Sequence, residues 1–396
     1  MLNQRIDSLR EYPFRRLAAL ISGATPATNR PVIDLSVGEP QHQPPDFVKE
    51  IIAARSDSWN RYPPINGTPD FRAACAAWLN RRYNLPTGMI DPDTMITPCA
   101  GSRESLYNLA TVAINGREDG QKPLALMPNP FYQVYVGAAV IAGAEPVFMT
   151  ATKETGFLPD LDALTPEMLD RTQIMYLCTP ANPQGAVADF AYLERAITLA
   201  RKHDFLLVSD ECYSEIYTTD VAPTGALEVA AAMGGSLDNL VVSHTLSKRS
   251  SCPGLRSGFT VGAPYTMDLM NRLRTYSCAA TPLATIEAAT ALWSDEQHVI
   301  EARERYRAKF DVAERLLAGR LGFYRPQAGF YLWLDVGDGE VAARKLWAEG
   351  GVKVLPGAYL TKNPEGPNPM QAYIRIALVS DLASTEEALT RVADLL

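Results

Sequence analysis

The sequence has little histidine, no paired cysteines and no long apolar run. Four histidines occur in 396 residues, and the six cysteines at 75, 99, 178, 212, 252 and 278 form no Cys-x-x-Cys pair. Metal centres and disulfide frameworks are built from such residues at short spacing, so neither is expected. Scattered thiols suit a reducing, cytoplasmic compartment. No segment approaches the roughly 20 apolar residues that span a bilayer. The opening MLNQRIDSLREYPFRR is charged and lacks the apolar stretch of a secretory signal. Basic excess is also missing: 37 Lys and Arg stand against 45 Asp and Glu, a net charge of −8. A nucleic-acid face needs the opposite balance. No nucleic acid and no membrane is therefore expected as partner; the charge says little about a small-molecule substrate, because a local basic pocket can sit in an acidic protein.

Ordinary globular composition is what remains, with 47% hydrophobic and 21% charged residues. The length suits two or three domains of roughly 100–200 residues each. Between about 95 and 265, short apolar runs alternate with helical patterns: PLALMPN (123–129), EPVFMTA (145–151), TQIMYLCTP (172–180), FLLVSD (205–210), LVVSHT (240–245) and SGFTVGA (257–263). Near-continuous Val/Ile/Leu runs suit strands buried on both faces, so the pattern predicts an α/β domain with a mainly parallel sheet over 46–285. Helices are expected near 102–114, 131–142 and 189–203. Past 285 the pattern shifts to one long helix over 285–318, strands at 329–336 and 373–380, and helices near 340–349 and 384–395. That predicts a smaller α+β domain over 286–396. Residues 1–45 read as a Pro-rich, irregular arm joining it.

Ligands of open α/β sheets sit at the carboxyl ends of the strands. Four polar strings fall at such ends or open the first helix. They are Ala100-Gly101-Ser102-Arg103, Thr179-Pro180-Ala181-Asn182-Pro183-Gln184-Gly185, Asp210-Glu211-Cys212-Tyr213 and Thr245-Leu246-Ser247-Lys248, the last followed by Pro253-Gly254-Leu255-Arg256. Pyridoxal 5′-phosphate (PLP) needs such a set. Lys248 is the candidate for the imine, one of only nine lysines; Arg249 cannot serve, because a guanidinium does not deprotonate to a nucleophile. Asp210 is the candidate partner of the pyridine nitrogen, keeping the ring an electron sink. Tyr213 and Asn182 are donors for the phenolic oxygen, and Tyr132 is the stacking aromatic. Gly101, Ser102 and Arg103 present a helix N-terminus to the phosphate, joined by Thr245, Ser247 and the forked Arg256. Each residue alone has a plainer reading: a surface lysine, a capping aspartate, a core tyrosine, an Asn-Pro-x-Gly turn. The chemistry rests on their conjunction.

The ordered set resembles the class I/II aminotransferases of PLP fold type I over nearly the whole chain. Ser247-Lys248 followed by Pro253-Gly254-Leu255-Arg256-Ser257-Gly258 carries most of the likeness, then Ser209-Asp210-Glu211-Cys212-Tyr213 and Asn182-Pro183. The resemblance implies a ping-pong transaminase with Lys248, Asp210 and Tyr213 as catalytic residues. It implies a homodimer in which Tyr62, in Arg61-Tyr62-Pro63-Pro64-Ile65-Asn66-Gly67, reaches the phosphate in the partner subunit. It assigns Arg375 to the substrate α-carboxylate, beside Asn182 and the backbone of Gly38. An arginine inside the apolar run Tyr373-Ile374-Arg375-Ile376-Ala377 is costly unless it meets an anion. The strings MPNPFYQVY, SDECYSEIY, SKRSSCPGLRSGF and AGFYLW are similar to those of bacterial succinyldiaminopimelate aminotransferases of lysine synthesis. This implies exchange between N-succinyl-LL-2,6-diaminopimelate and 2-oxoglutarate. Gln184 departs from the threonine common in Asn-Pro-Thr-Gly. No motif singles out an arginine for the distal group among Arg15, Arg16, Arg103 and Arg274. An aspartate- or N-acetylornithine-type aminotransferase, a C–S lyase on the same fold and a PLP-binding regulatory domain stand as alternatives.

Overall fold

The computed structural model describes residues 2–9, 11–27, 29–362 and 366–396. Its strands run β1 (Ile33–Asp34), β2 (Ile96–Cys99), β3 (Leu124–Asn129), β4 (Glu145–Thr150), β5 (Thr172–Cys178), β6 (Leu206–Asp210), β7 (Leu240–Thr245), β8 (Gly258–Gly262), β9 (Tyr331–Asp335), β10 (Val352–Lys353), β11 (Leu355–Pro356) and β12 (Tyr373–Ala377). Seven of them form the central sheet, in the order β2-β8-β7-β6-β5-β3-β4. Its strand pairs are parallel except where β8 runs antiparallel to β2 and β7. This is the mainly parallel α/β sheet expected from the apolar runs. β3, β7 and β8 are buried at every position, as strands sandwiched by helices must be, whereas the edge strand β4 starts exposed.

Register brings the polar strings to one rim. Cys178 pairs with Asp210 and Asp210 with Ser243, while Thr245 and Cys99 both face Gly258. β2 was not foreseen in the sequence. It has four residues and carries Pro98, which gives no N–H to a ladder; its place at the sheet edge is where proline is tolerated.

Two further departures have local causes. The long helix expected over 285–318 is broken into Leu283–Ser294 and Gln297–Leu317. At the break, the Asp295 carboxylate accepts the His298 amide at 3.1 Å and caps the second helix. Ile286, Ala288, Ala289, Leu292 and Trp293 of the first helix belong to the large core, so the expected boundary at 286 falls inside an element of the large lobe. The arm is not irregular throughout: Pro13–Ile21 is a helix with proline at its first position. Its Leu17, Leu20 and Ile21, at the i, i+3, i+4 spacing of one helical face, join the core that also holds Leu332, Leu346, Ile374 and Leu389. In that lobe β9, β11 and β12 form an antiparallel sheet, and β1 pairs with β10. Tyr213, Tyr306, Phe330 and Tyr331 pack in a separate aromatic cluster beside the rim. Among the described residues no helix is long and apolar enough to cross a membrane, and no group of side chains is arranged to hold a metal.

Candidate active site

Lys248 owes its position to a short capped helix. Leu246–Arg249 follows β7 directly, and Thr245 Oγ1 accepts the Ser247 amide at 3.2 Å. The helix sends adjacent side chains opposite ways. Arg249 is buried, donating to Leu292 O at 2.7 Å and to Glu296 at 2.7 Å. Lys248 enters a cavity of about 430 Å³, where its Nζ donates to Gly38 O at 2.6 Å. Burial lowers its pKa from 10.5 to about 8, and the Arg375 guanidinium pushes the same way.

Asp210 ends β6 in the same cavity. It is buried, its Oδ2 accepts the Tyr135 hydroxyl at 2.6 Å, and its Oδ1 accepts the Cys212 amide at 3.3 Å. Burial raises its pKa against the hydrogen bond from Tyr135. Tyr213 is buried, and burial keeps its hydroxyl protonated. Asn182 Nδ2 lies 3.4 Å from Tyr213 Oη, and Tyr213 Oη lies 3.2 Å from Tyr331 Oη. Asn182 Oδ1 accepts from Arg375 at 3.4 Å, so Asn182 stands between the tyrosine and the arginine.

Arg375 lies on β12 and is 5% exposed. It donates to Ser36 O at 2.8 Å and lies 4.5 Å above the Tyr331 ring. Its Nε has no partner, and its other hydrogen bonds go to Asn182 and a backbone carbonyl rather than to a carboxylate among the described residues. A buried cation without a counter-ion is strongly destabilising, so this guanidinium has capacity left to pair with an anion. Gly38 is fixed by close packing: a Cβ there would lie 1.8 Å from Tyr331 Oη. Gly38→Ala is expected to cost about 1–3 kcal/mol of stability, typical of overpacking. Urea unfolding, read beside kcat/KM, checks this.

At the other end of the cavity the helix Ser102–Ala113 begins. Gly101 precedes it at φ 80°, ψ 157°, backbone that favours glycine. Arg256 packs against it, near enough that a Cβ on Gly101 would meet Nη2 at 2.6 Å, and donates to Ala100 O at 2.5 Å and Pro253 O at 2.8 Å. Arg103 Nε donates to Tyr132 Oη at 2.9 Å, so the arginine steadies the candidate stacking ring. Ser102, Arg103, Tyr132, Thr245, Ser247 and Arg256 all line the cavity that Lys248 enters. Tyr62 does not join them; its side chain is fully exposed. Of the four arginines left open for a distal group, only Arg103 lines this cavity, while Arg274 is wholly buried.

The donor set fits a planar pyridine phosphate. It offers a helix N-terminus with hydroxyls and a guanidinium at one end. At the other is a buried carboxylate whose raised pKa a pyridinium would relieve. Three further wall residues were not singled out in the sequence. Tyr135 is one helical turn beyond Tyr132 and on its face, a spacing that signals it. Tyr331 lies opposite Ala377, two residues from Arg375 on the same strand face. Cys178 pairs with Asp210 across the sheet and carried no signal of its own.

Comparison with known proteins gives the site its family. Residues 30–392 match the family model for aminotransferase class I and II. An LL-diaminopimelate aminotransferase of Syntrophobacter fumaroxidans is 31% identical, over 99% of this chain and 98% of its own. An aminotransferase from Neisseria meningitidis superposes with a TM-score of 0.94 at 38% identity, covering all of both chains. A probable N-succinyldiaminopimelate aminotransferase from Thermus thermophilus superposes at 0.82 with 26% identity, over 97% of this chain and 100% of that one. The family depends on PLP and acts on small molecules. The chain belongs to the class I and II aminotransferases.

Proposed function

We propose that this chain is a PLP-dependent transaminase that moves an amino group between N-succinyl-LL-2,6-diaminopimelate and 2-oxoglutarate, as a cytoplasmic homodimer with shared sites. The observation that carries the reading is the opening of three groups into one cavity: Lys248 Nζ, the buried Asp210 carboxyl and the Arg375 guanidinium without an acid partner. Ser102, Arg103, Thr245, Ser247 and Arg256 would hold the cofactor phosphate, Asp210 the ring nitrogen, Asn182 and Tyr213 the phenolic oxygen, with Tyr132 over the ring. When bound, the cofactor supplies an electron sink for the Cα–H electron pair.

The chain's own residues do the rest. Arg375 fixes the α-carboxylate, which orients the Cα–H bond. Lys248 Nζ takes the Cα proton and returns one in the reverse half-reaction, a task suited by a pKa near the working pH. Asp210 holds a proton at the ring nitrogen. Tyr12 and Phe14 of the arm line the cavity and narrow its access to water.

Lys248 must be neutral to attack an aldehyde. Uptake of PLP by the apo chain is therefore expected to speed up tenfold per pH unit below about pH 8 and to level off above it. An ordinary lysine would keep rising toward 10.5. Stopped-flow absorbance of the Lys–PLP linkage makes the measurement.

The names of the relatives favour a second substrate, LL-diaminopimelate itself. Both keep a carboxylate at the far end; they differ at the nitrogen beside it, a succinyl amide ending in a further carboxylate against a free ammonium. A donor screen with 2-oxoglutarate separates them. It should include both diaminopimelates, N-acetylornithine and aspartate, with glutamate formation as readout. Turnover of free LL-diaminopimelate alone would sink the succinyl assignment and leave the transaminase. Release of pyruvate, ammonia and a thiol from a cysteine thioether such as cystathionine, with no keto-acid acceptor and no turnover of the donors above, would mean a lyase and sink both.

A further inference from the structure

Tyr62 is fully exposed, yet the loop that carries it is held at its backbone. Three successive carbonyls of that loop are capped by arginines. Arg274 Nη1 donates to Ile65 O at 2.6 Å, and Arg72 Nη1 donates to Asn66 O at 3.2 Å and to Gly67 O at 3.0 Å. Arg274 has no solvent exposure, and its Nη2 has no partner. Burying a guanidinium with one unsatisfied nitrogen is costly. Its use to fix a loop whose tyrosine points into solvent needs a reason outside that loop.

The other end of Arg274 supplies one. Its Nε donates to Glu104 Oε1 at 3.0 Å. Glu104 Oε2 accepts the Ala100 amide at 3.2 Å, and Ala100 O accepts Arg256 at 2.5 Å. One continuous set of hydrogen bonds thus runs from Ile65, through Arg274 and Glu104, to the turn and the arginine at the phosphate end of the cavity.

We propose that Arg274 is a positioning residue that joins each subunit's own phosphate turn to the tyrosine it lends to its partner. Cofactor binding in one subunit then depends on Arg274 of the other. This rests on the homodimer with shared sites proposed above. Arg274 touches neither cofactor nor substrate; it acts through Ile65 O and Glu104.

Mixed dimers test it. One chain carries Lys248→Ala and cannot form the Lys–PLP linkage, so linkage absorbance reports only the site of the other, otherwise wild-type chain. Arg274→Gln is added to the Lys248→Ala chain, leaving the reporting site's own Arg274 and phosphate turn intact. PLP is then titrated into the apo dimer. The expected result is about tenfold weaker PLP binding at the reporting site, the loss typical of one charged hydrogen bond. Tyr62→Phe in the same Lys248→Ala chain should give a loss of similar size. Unchanged affinity with Arg274→Gln, where Tyr62→Phe weakens binding, overturns the coupling and leaves the shared site standing. No effect of Tyr62→Phe overturns the shared site itself. A purely structural arginine would weaken only the site of its own chain. Should Arg274→Gln fail to assemble, Arg274→Lys decides, because it keeps the charge beside Glu104 but cannot also span to Ile65. A loss of a few fold at the partner's site supports the coupling, and none overturns it.

Discussion

Replacing Lys248 by alanine is expected to lower kcat by at least about 10,000-fold, because one change removes both a covalent attachment and an acid–base group. The surroundings leave no substitute. Arg249, next in sequence, is turned into the large core and bound to Leu292 O and Glu296. Lys309 is also buried, and burial lowers its pKa to about 8. It is, however, spent elsewhere: its Nζ donates to His42 Nε2 at 2.6 Å and to Leu378 O at 3.1 Å, and it does not line the cavity. Lys248 is the one lysine on the cavity wall among the described residues. Single-turnover kinetics of the variant loaded with cofactor and donor measure the loss. A residual rate above about one hundredth of wild type would move the proton transfer to another group.

Much of this centre was legible because β-strand physics is regular. A buried parallel strand reads as an apolar run, and its carboxyl end is where ligands bind. The polar residues following β5, β6 and β7 therefore pointed to the rim before any contact was known. Arg375 was legible through the family resemblance, with which a charge inside an apolar strand agrees. What escaped notice needed tertiary context. Tyr135 is marked only by its spacing from Tyr132, and its use appears when its hydroxyl is seen 2.6 Å from Asp210. Tyr331 reads as strand filler; its role appears only when β9 pairs with β12 and sets it beneath Arg375. β2 was hidden by brevity and by Pro98, which its edge position tolerates. The break after Ser294 was hidden because Asp295 and Glu296 do not interrupt a helical pattern; the cap is visible only in three dimensions. Tyr62 is the reverse case. Its string suggested a contact that its own chain does not supply.

Asp210→Asn is expected to lower kcat by about 1,000-fold while the cofactor still attaches at Lys248. Shape is nearly conserved. The asparagine amide can keep both contacts, its oxygen accepting the Cys212 amide and its NH2 donating to the Tyr135 hydroxyl, so the wall of the cavity stays in place. What goes is the negative charge that keeps the ring nitrogen protonated. Stability should move the other way. Burial raises the Asp210 pKa, so the folded apo chain binds this proton more tightly than the unfolded chain does. As pH rises from the ordinary carboxylate value through the folded one, ionisation costs more in the folded state and stability falls. At neutral pH the apo variant, which has no charge to bury, should then be at least as stable as wild type in urea. With PLP bound the order should reverse, because wild type gains a carboxylate–pyridinium pair that asparagine cannot form. Unfolding of apo and loaded forms side by side, with linkage absorbance to confirm attachment, tests both halves. A variant within tenfold of wild-type kcat, or one less stable than wild type as apo protein, would mean that Asp210 serves the fold rather than the ring nitrogen.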